Sequence, residues 1–160
     1  MNDKSILELI WNHYGGDKTE PRAFLDFVID GQSLFRIFTE RGFDAISCLG
    51  WGPASERAKA VARLLLTEPA DLPCERRSLY VCHIDGDIAC GAVTIKIENQ
   101  GDTVAWRNFG FENNYDDEPL DLNTLSDVGP FIFDREQYAS VMEQALERSE
   151  PSQASADLTF

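Results

Sequence analysis

Residues 89–112, ACGAVTIKIENQGDTVAWRNFGFE, narrow the fold more than any other stretch. Val93, Ile95 and Ile97 alternate with Thr94, Lys96 and Glu98, the two-residue period of a strand with unlike faces. Gln100-Gly101-Asp102 turns the chain, and residues 103–112 return it as the second arm of an antiparallel hairpin. The order Val104, Trp106, then Phe109 and Phe111 breaks the alternation near Arg107-Asn108, which predicts a β-bulge there.

The flanking segments supply more strands and some helices. SLYVCHI (78–84) reads as a strand ending in an Asp85-Gly86-Asp87 turn. FLDFVIDGQSLFRIF (24–38) reads as two strands around Asp30-Gly31, a dipeptide suited to tight hairpins. Residues 43–51 supply a short strand or connector. Residues 3–13 read as a short helix, with Ile6, Leu9 and Ile10 at i, i+3 and i+4 and Gly15-Gly16 stopping it. After Pro53, Ala54, Ala58, Val61, Leu64 and Leu65 form a helical apolar stripe. A last helix follows Asp134, which with Gln137 resembles a capping box, and its stripe is Tyr138, Val141, Met142, Ala145 and Leu146. These elements predict an α+β domain over residues 1–148: an antiparallel sheet of about five to six strands built from hairpins, with helices on one side. Residues 149–160 read as a flexible tail.

Twenty-eight acidic residues against fourteen basic ones leave a formal charge of −14. Such a field repels nucleic acid and anionic membranes and attracts cationic partners. No basic leader followed by an apolar run opens the chain, and no stretch of about eighteen apolar residues follows, which predicts a cytoplasmic protein. The four cysteines, Cys48, Cys74, Cys82 and Cys90, are then expected to be reduced.

Two stretches could carry function. CHIDGDIAC (82–90) offers Cys82, His83, Asp85, Asp87 and Cys90 as metal or thiol chemistry, the basis of an alternative reading as a hydrolase or oxidoreductase; a regulatory binding module of unknown partner is the other alternative. Zinc sites, however, are usually assembled from ligand pairs two to four residues apart, and no second pair accompanies this one. The expectation is therefore no metal, no cofactor and no catalytic residue. Neither His13 nor His83 stands in a recognisable nucleophile setting, and GWGPASER lacks the lysine and spacing of a phosphate loop.

The second stretch is FENNYDDEPLD (111–121), five carboxylates without a cation. Between Glu98 and Asp127 there are eight acids and one base, Arg107. The spacing is not that of a calcium loop. Aromatic side chains among the charges suit an interface, because interface centres are rich in them and opposite charge speeds encounter. The candidate partner-binding residues are Glu112, Tyr115, Asp116, Asp117, Glu118 and Asp121, with Trp106 and Arg107 as secondary contacts.

Residues 78–140 resemble a family of small, largely uncharacterised bacterial proteins. The likeness rests on Leu79, Tyr80, Val81, Cys82, Gly86, Asp87, Cys90, Gly91 and Ala92, then Val104, Trp106, Phe109, Gly110, Glu112, Asn113 and Tyr115. It continues through Gly129, Pro130, Phe131, Phe133, Asp134, Gln137 and Tyr138. The family pattern has a further cysteine where this chain has Asp85, and the resemblance implies a fold neighbourhood rather than a reaction. In overall type, a small acidic α+β protein with a carboxylate-rich face is similar to the immunity proteins of bacterial contact-dependent growth-inhibition systems. That likeness implies a basic toxin domain, such as a nuclease, as the partner, covered by carboxylates standing where phosphates would lie.

Overall fold

The computed structural model describes residues 4–14, 22–43, 45–49, 54–82, 91–112 and 120–147. Three strands, β1 (Leu7–Tyr14), β2 (Arg22–Ile29) and β3 (Gln32–Ser33), form one antiparallel sheet in that order. Five more, β4 (Ala45–Ser47), β5 (Arg77–Cys82), β6 (Ala92–Asn99), β7 (Thr103–Glu112) and β8 (Phe131–Asp134), form a second, again in chain order. Helices α1 (Leu34–Glu40), α2 (Ala54–Leu64) and α3 (Arg135–Ala145) complete the fold. The domain is α+β, with its strands shared between two sheets. Ser5 bridges Phe133 in parallel at one junction, and the Ser47 hydroxyl donates to the Leu25 carbonyl at another, 2.6 Å away.

The helix expected over residues 3–13 is instead β1. Leu7 and Leu9 are buried while Ile6 and Ile10 are 58% and 49% exposed, a period of two rather than 3.6. Pairing decides the matter: β1 lies against β2 without a break from Leu7↔Ile29 to Tyr14↔Arg22. The Asp30-Gly31 turn is present, with φ of 52° and 84° as a primed hairpin turn requires. Its second arm, however, is only two residues long and then becomes α1. Ser33 caps that helix by accepting from the Arg36 amide at 3.1 Å, and buried Asp26 accepts from the Phe35 amide at 3.1 Å. These two acceptors serve the free amides of a helix start, which outweighs the strand preference of the phenylalanines and isoleucine that follow.

The central hairpin is β6–β7, and its bulge lies where the alternation fails. Thr94 faces Gly110 and Lys96 faces Arg107, so Ile95 opposes both Asn108 and Phe109. Asn108 takes φ of 55°, a conformation that asparagine tolerates better than most residues. At α3, Asp134 accepts from the Gln137 amide at 3.1 Å. The other half of a capping box is absent, because the Gln137 amide group instead donates to the Leu7 carbonyl at 2.8 Å and ties α3 to β1.

Aromatic side chains dominate the core. Trp106 is fully buried, edge-on to Phe27 and Phe133 with centroids 5.4 and 5.2 Å away. Its indole nitrogen donates to the Tyr138 hydroxyl at 3.1 Å, which donates in turn to the Leu64 carbonyl at the end of α2, 2.6 Å away. Tyr138→Phe leaves both the indole N–H and that carbonyl without this partner, at an expected cost of about 1–3 kcal/mol. Thermal denaturation measures it.

Alkaline pH is expected to destabilise the fold. Burial pushes the half-buried Cys48 thiol from 9.0 up to about 12. Burial, and then neighbouring Asp26, raise the Tyr80 phenol well above its ordinary value, and burial raises Tyr138 despite the bond from Trp106. These groups hold their protons more tightly when folded. Their stabilisation is complete below the ordinary value of 9.0 and is lost as pH climbs towards the raised values. Each group that has titrated only in the unfolded chain steepens the fall by about 1.4 kcal/mol per pH unit. Urea midpoints measured from neutral to strongly alkaline pH give the slope.

Among the described residues no helix is long and apolar enough to cross a membrane.

Candidate functional site

The register of the second sheet gathers the two sequence stretches at one end. Cys82, last in β5, pairs with Ala45, and Ala92, first in β6, pairs with Glu112, last in β7. Ala92, two residues after Cys90, therefore lies beside Glu112, where the acidic stretch begins. The contact at this end is close: Gly91 has φ of 107°, and a Cβ on it would strike the Phe111 ring. That ring also packs on Phe43, with centroids 4.9 Å apart.

Both ends of the acidic stretch are clamped. Phe111 and Asp121 exchange two backbone hydrogen bonds, of 3.0 and 2.9 Å, an isolated antiparallel bridge that closes the base of residues 112–120. On one side of this bridge, Glu112 accepts from the Thr94 hydroxyl at 2.7 Å and pairs with the Arg76 Nε at 3.3 Å. Arg76 is 3% exposed. Its Nη2 donates to the Thr94 carbonyl at 2.8 Å and the Asn108 carbonyl at 2.6 Å. The bulge turns that Asn108 carbonyl out of the ladder and the buried guanidinium takes it up. Burial lowers the Arg76 pKa from its ordinary value, with Glu112 opposing the shift.

On the other side, Asp121 closes a turn. One oxygen accepts from the amides of Asn123 and Thr124 at 2.8 and 3.2 Å, and the other from the Thr124 hydroxyl at 2.6 Å. These bonds, that of the hydroxyl first, hold its carboxyl below the usual range. Further along, Arg41 at the end of α1 grips Asp127 through both nitrogens, at 2.5 and 2.7 Å, and also donates to the Thr124 carbonyl at 3.3 Å. A bidentate guanidinium–carboxylate pair fixes orientation as well as distance.

The expected binding residues therefore separate. Trp106 is a core residue and touches no partner, because its side chain points into the sheet interior. Glu112 and Asp121 make bonds within the chain, to Thr94 and Arg76 and to the turn at Asn123–Thr124 respectively. Arg107 is half-exposed and paired with Glu98 at 2.9 Å. Tyr115, Asp116, Asp117 and Glu118 lie outside the described residues, as do His83, Asp85, Asp87 and Cys90 of the alternative site. Among the described residues no group of three His, Cys, Asp or Glu side chains is placed to hold a metal. The clamps themselves escaped the sequence reading: Arg76, Thr94 and Arg41 look in sequence like ordinary surface residues beside strands and helices.

A second polar cluster lies in the interior. Asp26 of β2 is 1% exposed. It accepts from the Tyr80 hydroxyl, the Ser33 hydroxyl, the Phe35 amide and the Asn12 side-chain amide. Closed to solvent and supplied with donors on both oxygens, it joins β2, β5 and α1 rather than meeting a substrate. No family model, curated protein or solved structure matches the chain.

Proposed function

We propose that the chain is a cytoplasmic binding protein of the immunity type, which neutralises a basic toxin domain by covering it with carboxylates carried at one end of the five-stranded sheet. The observation that supports this most is the double clamp. Between Glu112, tied down by Arg76, and Asp121, tied down by its turn, the sequence carries Asp116, Asp117 and Glu118 and no cation. Three charges of one sign on a segment whose two ends are fixed repel one another, and a cationic surface relieves that repulsion on contact. A cluster of Lys and Arg built for a phosphate backbone is such a surface, which favours a nuclease as the toxin. The sequence of residues 83–90 adds Asp85 and Asp87 to the acidic residues between strands of this sheet. Tyr115 is assigned as the aromatic anchor among the charges. Inhibition by occlusion needs no turnover by the chain itself.

The test is co-expression with the toxic domain encoded beside this gene. Growth restored by the intact chain, with a one-to-one complex whose association slows in salt, is the expected result. Growth arrested with both proteins soluble would overturn the reading.

A further inference from the structure

Helix α1 is short, yet both of its ends are tied to other elements. At its start, Ser33 caps the Arg36 amide at 3.1 Å and donates its hydroxyl to Asp26, which also accepts from the Phe35 amide. At its end, Gly42 takes φ of 91° and donates to the Thr39 carbonyl at 3.0 Å, while the Phe43 amide reaches the Phe38 carbonyl at 2.9 Å. These two bonds form a helix stop whose left-handed residue is strained for any side chain but glycine. The stop sends the chain back so that Phe43 packs on the Phe111 ring. One turn earlier, buried Phe38 meets Tyr80 and Phe109, with centroids 5.0 and 6.3 Å away. Arg41 adds its bidentate pair with Asp127 and its bond to the Thr124 carbonyl. Phe109, Phe111, Thr124 and Asp127 all flank the Phe111–Asp121 bridge.

We propose that α1 is a strut that carries the fixed geometry of the buried Asp26 cluster to the base of the acidic stretch, with Arg41 as its positioning residue. The purpose of the strut rests on the docking reading above; its mechanics rest on α1 alone. The turn over residues 121–128 bonds largely to itself: Asp121 to Asn123 and Thr124, Ser126 to Asn123, and Val128 to Leu125. Fully buried Leu125 fixes its depth against the core. The bidentate Arg41 pair supplies direction as well. Exposed ion pairs usually contribute little, but a planar two-bond pair with a further bond to a carbonyl is the exception. At the other end of the strut, two of the four donors to Asp26 come from Ser33 and Phe35, so a shift of α1 breaks bonds to a buried carboxylate. A change at Ser33 is therefore felt at the Phe111–Asp121 bridge through the helix between them.

The test is amide hydrogen exchange on the full chain, read at Phe111 and Asp121, with the β6 amides as the reference for global unfolding. Arg41→Ala and Asp127→Ala should each speed exchange at those two positions about tenfold, the double variant should add nothing further, and the β6 amides should not change. Arg36→Ala, which removes only the exposed pair with Glu40 on the same helix, should leave every rate as it was. Ser33→Ala should speed the bridge amides more than the β6 amides, and Ser33→Thr, which keeps a capping hydroxyl, should restore the slower rate. Should Ser33→Ala not fold, Gly42→Ala takes its place: nothing lies within 4 Å of the added Cβ, so it acts only through the strained φ. Bridge amides that do not change in Arg41→Ala, or that change only in step with β6, overturn the strut and leave the docking reading standing. Failure of the intact chain to protect growth overturns the docking reading and leaves the exchange result in place, so the two failures are told apart.

Discussion

Replacing Asp26 by alanine is expected to remove about 3–5 kcal/mol of stability, because four donors lose one acceptor and each buried donor left unpaired costs about 1–3 kcal/mol. The side chain sits at the meeting of β2, β5 and α1. Its oxygens accept from the Tyr80 hydroxyl and the Phe35 amide on one side and from Ser33 and Asn12 on the other. Alanine strands these donors in an interior where Asp26 itself is only 1% exposed. An unpaired buried donor costs more than the bond it lost was worth, because the donor keeps its desolvation penalty. Tyr80→Phe is the milder counterpart. It removes one donor to Asp26 and the acceptor of the Phe27 amide, 3.2 Å away, but leaves the Ser33, Phe35 and Asn12 bonds in place, so the expected loss is about 1.5–3 kcal/mol. Against a typical total of about 5–15 kcal/mol, the first change brings the domain near its unfolding threshold and the second does not. Urea denaturation with a common slope for the two variants measures both. A loss below about 1 kcal/mol for Asp26→Ala, against the about 3–5 kcal/mol expected, would show that water or neighbouring groups re-satisfy these donors.

The same carboxyl shows where local pattern stops being informative. The β6–β7 hairpin and its bulge are legible because both arms are adjacent in sequence and the pairing only repeats the alternation already written there. Residues 3–13 fit two periods equally: Ile6, Leu9 and Ile10 satisfy the helical spacing, while Leu7 and Leu9 satisfy that of a strand. The ladder with β2 settles it, and no local window contains that ladder. The start of α1 is decided in part by Asp26, whose side chain reaches the Phe35 amide from another strand. At the candidate site the excess of negative charge is plain in the sequence, but its division into holding and presenting residues is not. Arg41 lies 86 residues from the Asp127 it grips. Trp106 shows the converse error. It stands near the acids in sequence, yet the alternation of β7 turns it inward to Tyr138.

Changing Asp116, Asp117 and Glu118 together to alanine is expected to leave the fold intact and to weaken the complex with a basic toxin domain by several orders of magnitude. Close charge pairs across such an interface couple by about 1.5–7 kcal/mol each, and about 1.4 kcal/mol is a tenfold change in affinity. Loss of even two pairs at the low end of that range gives roughly a hundredfold. The fold should survive because the clamps on either side use other atoms: Arg76 holds Glu112, the Phe111–Asp121 bridge is made of backbone, and Arg41 holds Asp127. Kinetics show the steering directly. Neutralising the carboxylates should slow association and flatten its dependence on salt, because long-range attraction acts on encounter. Stopped-flow association rates at low and high salt, with thermal denaturation of the triple variant as the folding control, test this. Unchanged affinity in the triple variant would move the interface to another face of the protein, whatever its net charge.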